Sequence, residues 1–356
     1  MLTLAFLLLL TTPAQAAEVP ENVRGALPEQ ALELMDGLNS DGSAGSFRDG
    51  LAGIWDRVSQ GAEGVLKERL RDIVVLLLVV LLCGVVDGTF QGTGGGKITN
   101  YTPMAGALSI TLLSAGSIHS LIGLGTETMR QLSIFSKALL PTLAAATAAS
   151  GSVGGATFRQ VATVFFVDLL LNLVNELLVP MVYLYIGALT ASAMLPGNQL
   201  GGVAEALKKI ITWMLTGSLL LFTGYLTVTG VVTGTTDAMA VKLTKMGISG
   251  VVPVVGSIIA EATETVLAGA GILRNTIGIF GMLAVLATCA LPFLQLGIQY
   301  LLYKLAAFVS GTVGAPPMVK LLSGLGGAFG LVLGMTGTCA LLLLVSIVSS
   351  VAAVVP

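Results

Sequence analysis

The sequence predicts an all-helical, polytopic integral membrane protein, and three observations support that prediction. Of its 356 residues, 54% are hydrophobic and only 10% are charged, whereas about a quarter of the residues of an ordinary soluble domain are charged. The charges are also uneven, because 17 of them lie within residues 1–72. Long uncharged runs follow, each close to or above the roughly 20 residues that a helix needs to cross a bilayer. These runs are 98–126, 138–158, 177–204, 210–236, 275–303 and 321–356.

The amino terminus has the pattern of a secretory leader. Residues 2–10 are apolar and rich in leucine, and Ala14-Gln15-Ala16 follows with the small-x-small spacing that signal peptidase reads. We therefore predict a signal peptide at 1–16. No Lys or Arg precedes the apolar stretch, which leaves an uncleaved anchor or another start site as alternatives.

Residues 17–72 are predicted to form a short extracytoplasmic, amphipathic region. They carry more acidic than basic side chains, as suits a segment that has crossed the membrane, and from Phe47 onward apolar residues recur at the spacing of an amphipathic helix. Such a helix could lie in the membrane interface with Trp55 at headgroup depth, or its apolar stripe could dock on a partner.

Residues 73–356 are predicted to form a transmembrane domain of eight spans. Seven is the alternative, because Pro180 separates the fourth span from a short fifth one. Between the sixth and seventh spans, residues 233–274 combine scattered charges with apolar stretches too short to cross, which indicates a re-entrant or interfacial segment. The eight spans are placed at about 73–90, 103–125, 131–150, 160–179, 181–196, 210–232, 275–298 and 327–353.

The fourth span carries a stripe of polar residues. Asp168, Asn172 and Asn175 fall within about 60° of one another on a helical wheel, and Glu176 lies at the edge of that face. Ionisable groups at membrane depth are costly and usually face other helices or an aqueous path. The stripe is therefore a candidate either for a structural contact between helices or for conduction and ion coupling.

Lys137 is an isolated charge in the third span, and Pro141 follows it by one helical turn. Proline has no N–H to donate to the Lys137 carbonyl, so a kink at this point would expose an acceptor beside an ammonium group. Broken helices of this kind line sites in secondary transporters, but prolines also simply bend helices. Both interpretations stay open.

Gly326, Gly330 and Gly334 recur at intervals of four at the start of the last span. Small residues at this spacing let helices approach closely in lipid. The ridge predicts close packing, either within the chain or between subunits.

Several classes of function are disfavoured. The chain lacks a run of Lys or Arg, so it has no electrostatic footprint for nucleic acid. Its three cysteines show no CxxC spacing, and the single histidine, His119, has no nearby carboxylate or cysteine. HExxH and GxSxG strings are also absent. We expect no catalytic residues, no metal site and no cofactor.

Three segments together resemble the stage III sporulation protein AE family of endospore-forming bacteria. They are Val252-Pro253-Val254-Val255-Gly256, Glu261-Ala262-Thr263-Glu264-Thr265 and Leu273-Arg274-Asn275-Thr276-Ile277-Gly278-Ile279. The leader, the amphipathic helix that carries Trp55 and the Gly314-Ala315-Pro316-Pro317 loop before the last span support the resemblance. It extends over nearly the whole chain and is most specific over 245–320.

The resemblance implies a non-catalytic membrane component made in the mother cell and placed in the membrane that surrounds the forespore. Its partners would be the other proteins of the stage III sporulation operon, including a secretion-type ATPase, and stage II sporulation protein Q across the intermembrane space. Together they would form a channel, or feeding tube, that sustains the forespore. The alternative is a stand-alone, ion-coupled permease that uses Lys137, Asp168 and Glu176, although the charge and proline pattern shows no inverted repeat.

Overall fold

The structure is a computed structural model, and every regular element within the residues it describes is helical. Those residues are 20–36, 47–91, 101–149, 155–195, 200–225, 255–312 and 315–352. A π-helical turn, Val174–Leu178, directly joins the helix that ends at Leu173 to the helix that begins at Val179. The helices are α1 (Glu21–Arg24), α2 (Glu29–Asp36), α3 (Phe47–Gln91), α4 (Thr102–Ala149), α5 (Gly155–Leu173), α6 (Val179–Met194), α7 (Gly201–Tyr225), α8 (Val255–Ser310) and α9 (Pro316–Ala352).

Five stretches within the described helices are long and apolar enough to cross a membrane. They confirm the predicted class, a helical membrane protein, but not the predicted count of seven or eight spans. The segment predicted as the first span, 73–90, forms the second half of α3 and is not among the five. The five are Thr102–Ala149, Phe165–Met194, Gly201–Tyr225, Asn275–Ser310 and Pro316–Val351.

Two pairs of predicted spans are in fact continuous helical stretches. The second and third predicted spans both lie in α4, because the charges that separate them in sequence do not break the helix. The Arg130 guanidinium donates to both Glu127 carboxylate oxygens, at 2.8 and 2.6 Å, within one turn of α4, and such pairs support a helix. The fourth and fifth predicted spans are likewise joined, through the π-helical turn before Pro180.

The length of α4 exceeds what a bilayer core requires. Its 48 residues rise over about 70 Å, more than twice the hydrocarbon thickness of about 30 Å. Part of α4 therefore extends outside the apolar layer in any orientation close to the membrane normal.

The centre of the bundle is formed by α8 and α9, whose apolar windows are 67% buried, with α4 packed against both. The hydroxyl of the buried Tyr303 on α8 donates to Ser114 Oγ on α4 at 2.9 Å. Farther along, Gly281 of α8 lies against Leu139 of α4. From the first contact to the second, the residue number increases along α4 and decreases along α8, so the two helices are antiparallel.

The amphipathic region and the first predicted span belong to one helix, α3, without a break at residue 72. Ile54 and Ile73 of α3 are both buried, and a Cβ added at Gly50 would lie 2.6 Å from Leu283 of α8. Part of the stripe assigned above to the membrane interface or a partner thus packs on α8 of the same chain. Trp55 is 73% exposed, outside this contact.

The remaining domain predictions stay predictions. The signal peptide, 1–16, lies outside the described residues, as does most of the segment predicted to be re-entrant. From Val255 onward, the described backbone of that segment is helical and continues into the span Asn275–Ser310.

Candidate functional site

An ion pair connects α4 to α5 and brings together two of the predicted candidates. Lys137 Nζ lies 2.8 Å from Asp168 Oδ1. The sequence marks both residues as isolated charges in apolar spans, but it does not pair them. The structure shows that each charge has the other as its partner.

The pair lies on the outer face of the bundle. The side chains of Lys137 and Asp168 are 58% and 38% exposed, respectively, although Asp168 Oδ1 itself is buried. Asp168 lies about 20 Å along α5 from Gly155, far from both ends of the continuous α5–α6 stretch. The chain itself thus covers the Asp168 side of the pair better than the Lys137 side. If the pair lies at membrane depth, lipid would be an unfavourable neighbour for it.

Asn172 extends the polar patch by one turn. Its Nδ2 atom donates to Asp168 Oδ2 at 3.4 Å, so both carboxylate oxygens of Asp168 have a polar neighbour. This contact has the i, i+4 spacing that the helical wheel predicts. Asn172 is itself exposed, which continues the patch on the surface.

Asn175 and Glu176 lie in the π-helical turn, where the helix is wider. The Val179 N–H donates to the Val174 carbonyl, five residues back, instead of four. The following Pro180 accounts for this turn, because its ring would clash with the carbonyl four residues earlier in an α-helix and it has no N–H to donate. Asn175 Oδ1 is buried without a hydrogen-bond partner among the described residues, whereas Glu176 is exposed.

Pro141, in contrast, does not end α4, which continues as a helix to Ala149. Pro141 is exposed, and the next residue supplies a local hydrogen bond, from Thr142 Oγ1 to the Ala138 carbonyl at 2.8 Å.

We name the group Lys137, Asp168, Asn172, Asn175 and Glu176 the polar patch. Pro141 flanks it.

The glycine ridge packs within the chain at each of its three positions. A Cβ added at Gly326 would lie 3.1 Å from Tyr303 Cβ, and one at Gly330 would lie 3.0 Å from the Tyr300 ring, both on α8. Gly334 faces Leu215 of α7, 3.6 Å from an added Cβ. Two glycines therefore bring α9 close to α8, and the third faces a different helix.

Gly326→Ala should reduce stability, because the added methyl would lie 3.1 Å from Tyr303 Cβ, closer than ordinary van der Waals contact, and a Cβ atom cannot move without the α8 backbone. Overpacking of this kind costs about 1–3 kcal/mol. Thermal unfolding of the detergent-solubilised protein should show a midpoint lower by several degrees. Gly116→Ala on α4 is the control, since an added Cβ there meets nothing within 4 Å and alanine favours helix. Equal midpoints for the two variants would contradict the packing role.

The described residues contain no group of three or more His, Cys, Asp or Glu that could hold a metal ion. His119 is exposed on α4, and Cys83, Cys289 and Cys339 are free cysteines. The chemistry that the polar patch offers is charge pairing and hydrogen bonding.

Comparison with known proteins agrees with the resemblance noted in the sequence. A family model described as stage III sporulation protein AE matches residues 33–354. A protein of Bacillus subtilis (strain 168), named stage III sporulation protein AE, is 26% identical over 301 residues, which cover 84% of this chain and 74% of that protein. No solved structure matches the chain.

Proposed function

The chain belongs to the stage III sporulation protein AE family, and from this premise we propose that it is a non-catalytic membrane subunit of a channel complex between mother cell and forespore. Family membership supports a role in sporulation. The apolar helices support a place in a membrane. The channel, and the subunit role within it, are the proposal.

The observation that carries the proposal is the partial exposure of the polar patch. Lys137 and Asp168 form a short ion pair, yet both remain more than a third exposed. In a bilayer, charged and amide groups need protein or water as neighbours. A second transmembrane protein on this face of α4 and α5 would supply them, as expected of a subunit in an assembly.

The proposed location is the mother-cell membrane that surrounds the forespore, with the amino-terminal region outside the cytoplasm. The proposed partners are the other proteins of the stage III sporulation operon, including its secretion-type ATPase, and stage II sporulation protein Q across the intermembrane space. The ATPase would supply any energy that transport through the complex requires.

The test is purification of an affinity-tagged chain from sporulating cells in mild detergent. We expect the other operon proteins and stage II sporulation protein Q to copurify, and deletion of the gene to arrest forespore development. The same tagged chain reconstituted alone in liposomes should catalyse no ion-driven solute uptake. Recovery of an isolated chain that does transport a solute would favour the ion-coupled permease, with the polar patch as its coupling site.

A further inference from the structure

A second polar cluster lies where α7, α8 and α9 meet. The Lys304 ammonium on α8 donates to both the carbonyl and the Oγ of Ser323 on α9, each at 3.0 Å. Lys208 of α7 approaches the same part of α9, since its Nζ lies 3.7 Å from the position of a Cβ added at Gly327. Three helices thus hold two ammonium groups beside one turn of α9. We name Lys208, Lys304 and Ser323 the basic cluster.

The basic cluster holds two ammonium groups without a direct ion pair among the described residues. Lys208 and Lys304 are close enough to repel each other, and neither forms an ion pair with any residue that the structure describes. Glu205 lies one turn before Lys208 on α7 and is close enough to interact electrostatically with the Tyr185 hydroxyl of α6. One carboxylate therefore lies beside the two ammonium groups and offsets part of their charge. A bound anion would relieve the repulsion between the two lysines.

The three side chains also share one depth in the bundle. Lys208 lies about 10 Å beyond the start of α7, and Ser323 lies about 10 Å beyond the start of α9. Lys304 lies about 10 Å before the end of α8. The cluster is therefore close to one end of the bundle, where the polar headgroup layer, several ångströms thick on each side of the hydrocarbon core, is expected.

Exposed apolar side chains flank the charges. Leu301 and Phe308, 64% and 79% exposed, lie one turn to either side of Lys304 on the same stripe of α8. Trp213, 76% exposed, lies one turn after Lys209 on the outer face of α7, beside an open depression lined by residues of α7. Trp is enriched at the interface between membrane and water, so the surroundings suit a ligand with an anionic head and apolar chains.

We propose that the basic cluster binds the phosphate of an anionic phospholipid, with Lys208 and Lys304 contacting the phosphate oxygens and the acyl chains lying along Leu301 and Phe308. Ser323 holds the Lys304 ammonium in place through its carbonyl and hydroxyl. Basic pockets between transmembrane helices bind anionic headgroups in this way. This inference is independent of the proposed channel.

The test measures lipid binding to the full chain in detergent by native mass spectrometry and by thermal unfolding. Phosphatidylglycerol or cardiolipin should bind and raise the unfolding midpoint, whereas phosphatidylcholine and millimolar inorganic phosphate should not. Lys208→Gln and Lys304→Gln should each weaken binding of the anionic lipid roughly fivefold. The matched control is Lys67→Gln, an exposed lysine on α3, which should bind as the unmodified chain does.

Three outcomes would overturn the proposal. One is equal binding of phosphatidylcholine, and another is the same stabilisation by inorganic phosphate alone, which would make the ligand a soluble phosphate. The third is unchanged lipid binding in the Lys208→Gln variant, which decides the matter even if Lys304→Gln fails to fold, because Lys208 is exposed.

Discussion

Gly125→Leu should prevent accumulation of the folded protein in the membrane. Gly125 is buried on α4 where that helix meets the two central helices. A Cβ added there would collide with Val332 of α9 and would lie 3.6 Å from Thr336 Oγ1 and 3.7 Å from Leu296 on α8. A leucine needs room for three more carbons beyond that Cβ. A rotamer change in one neighbouring side chain cannot provide this room, because Val332, Thr336 and Leu296 are all buried in the packed core.

The cost of this substitution should exceed the usual 1–3 kcal/mol of overpacking, because three helices would have to separate. We expect little or no monodisperse protein in detergent extracts. Gly123→Leu is a close control on the same helix, where Gly123 is exposed and an added Cβ meets nothing within 4 Å. Normal yield of the Gly125→Leu variant would show that α4 does not pack on α8 and α9 at this point.

The sequence predicts the fold class but not the number of spans, and the reason is physical. Hydropathy shows where charged residues interrupt an apolar run of the sequence, whereas a helix ends only where its backbone hydrogen bonding ends. Glu127 and Arg130 interrupt the apolar run of α4, yet they pair along the helix surface and leave its backbone intact. At Pro180 the chain widens one turn and continues as a helix.

The candidate site was predictable residue by residue but not as an arrangement. Asp168 and Asn172 contact each other at the predicted helical spacing. Asn175 and Glu176 depart from the regular wheel because the π-helical turn contains them. The pairing of Lys137 with Asp168 depends on which helices are neighbours, which local periodicity does not encode. The same limit hides the basic cluster, since Lys208, Lys304 and Ser323 come from three different helices.

Charge removal at the polar patch should have the largest effect on the assembled protein. Lys137→Met leaves the Asp168 carboxylate without its cation, and Asp168→Asn leaves the Lys137 ammonium without its anion. One unpaired charge costs at most about 3 kcal/mol when it lies at the centre of a membrane helix, which corresponds to a roughly hundredfold shift in an equilibrium. The cost here is lower, because Asp168 lies only three residues into the span Phe165–Met194 and both side chains are more than a third exposed. We expect each single variant to reduce both the complex recovered from sporulating cells and the yield of mature spores.

The double variant, Lys137→Met with Asp168→Asn, distinguishes the two roles that the polar patch could have. If the ion pair is structural, removing both charges leaves no uncompensated charge, and the complex should be recovered far better than from either single variant. If the charges couple ion movement, the double variant should assemble normally yet remain as defective in spore formation as the worse single variant.

Glu127→Gln serves as the control, because it breaks an ion pair that lies within α4 alone. If Glu127→Gln reduced the recovered complex as much as Asp168→Asn does, the result would mean that any charge change on α4 disrupts the assembly. A selective loss at Asp168 would instead locate the contact at the junction of α4 and α5, where an adjoining subunit would cover both charges.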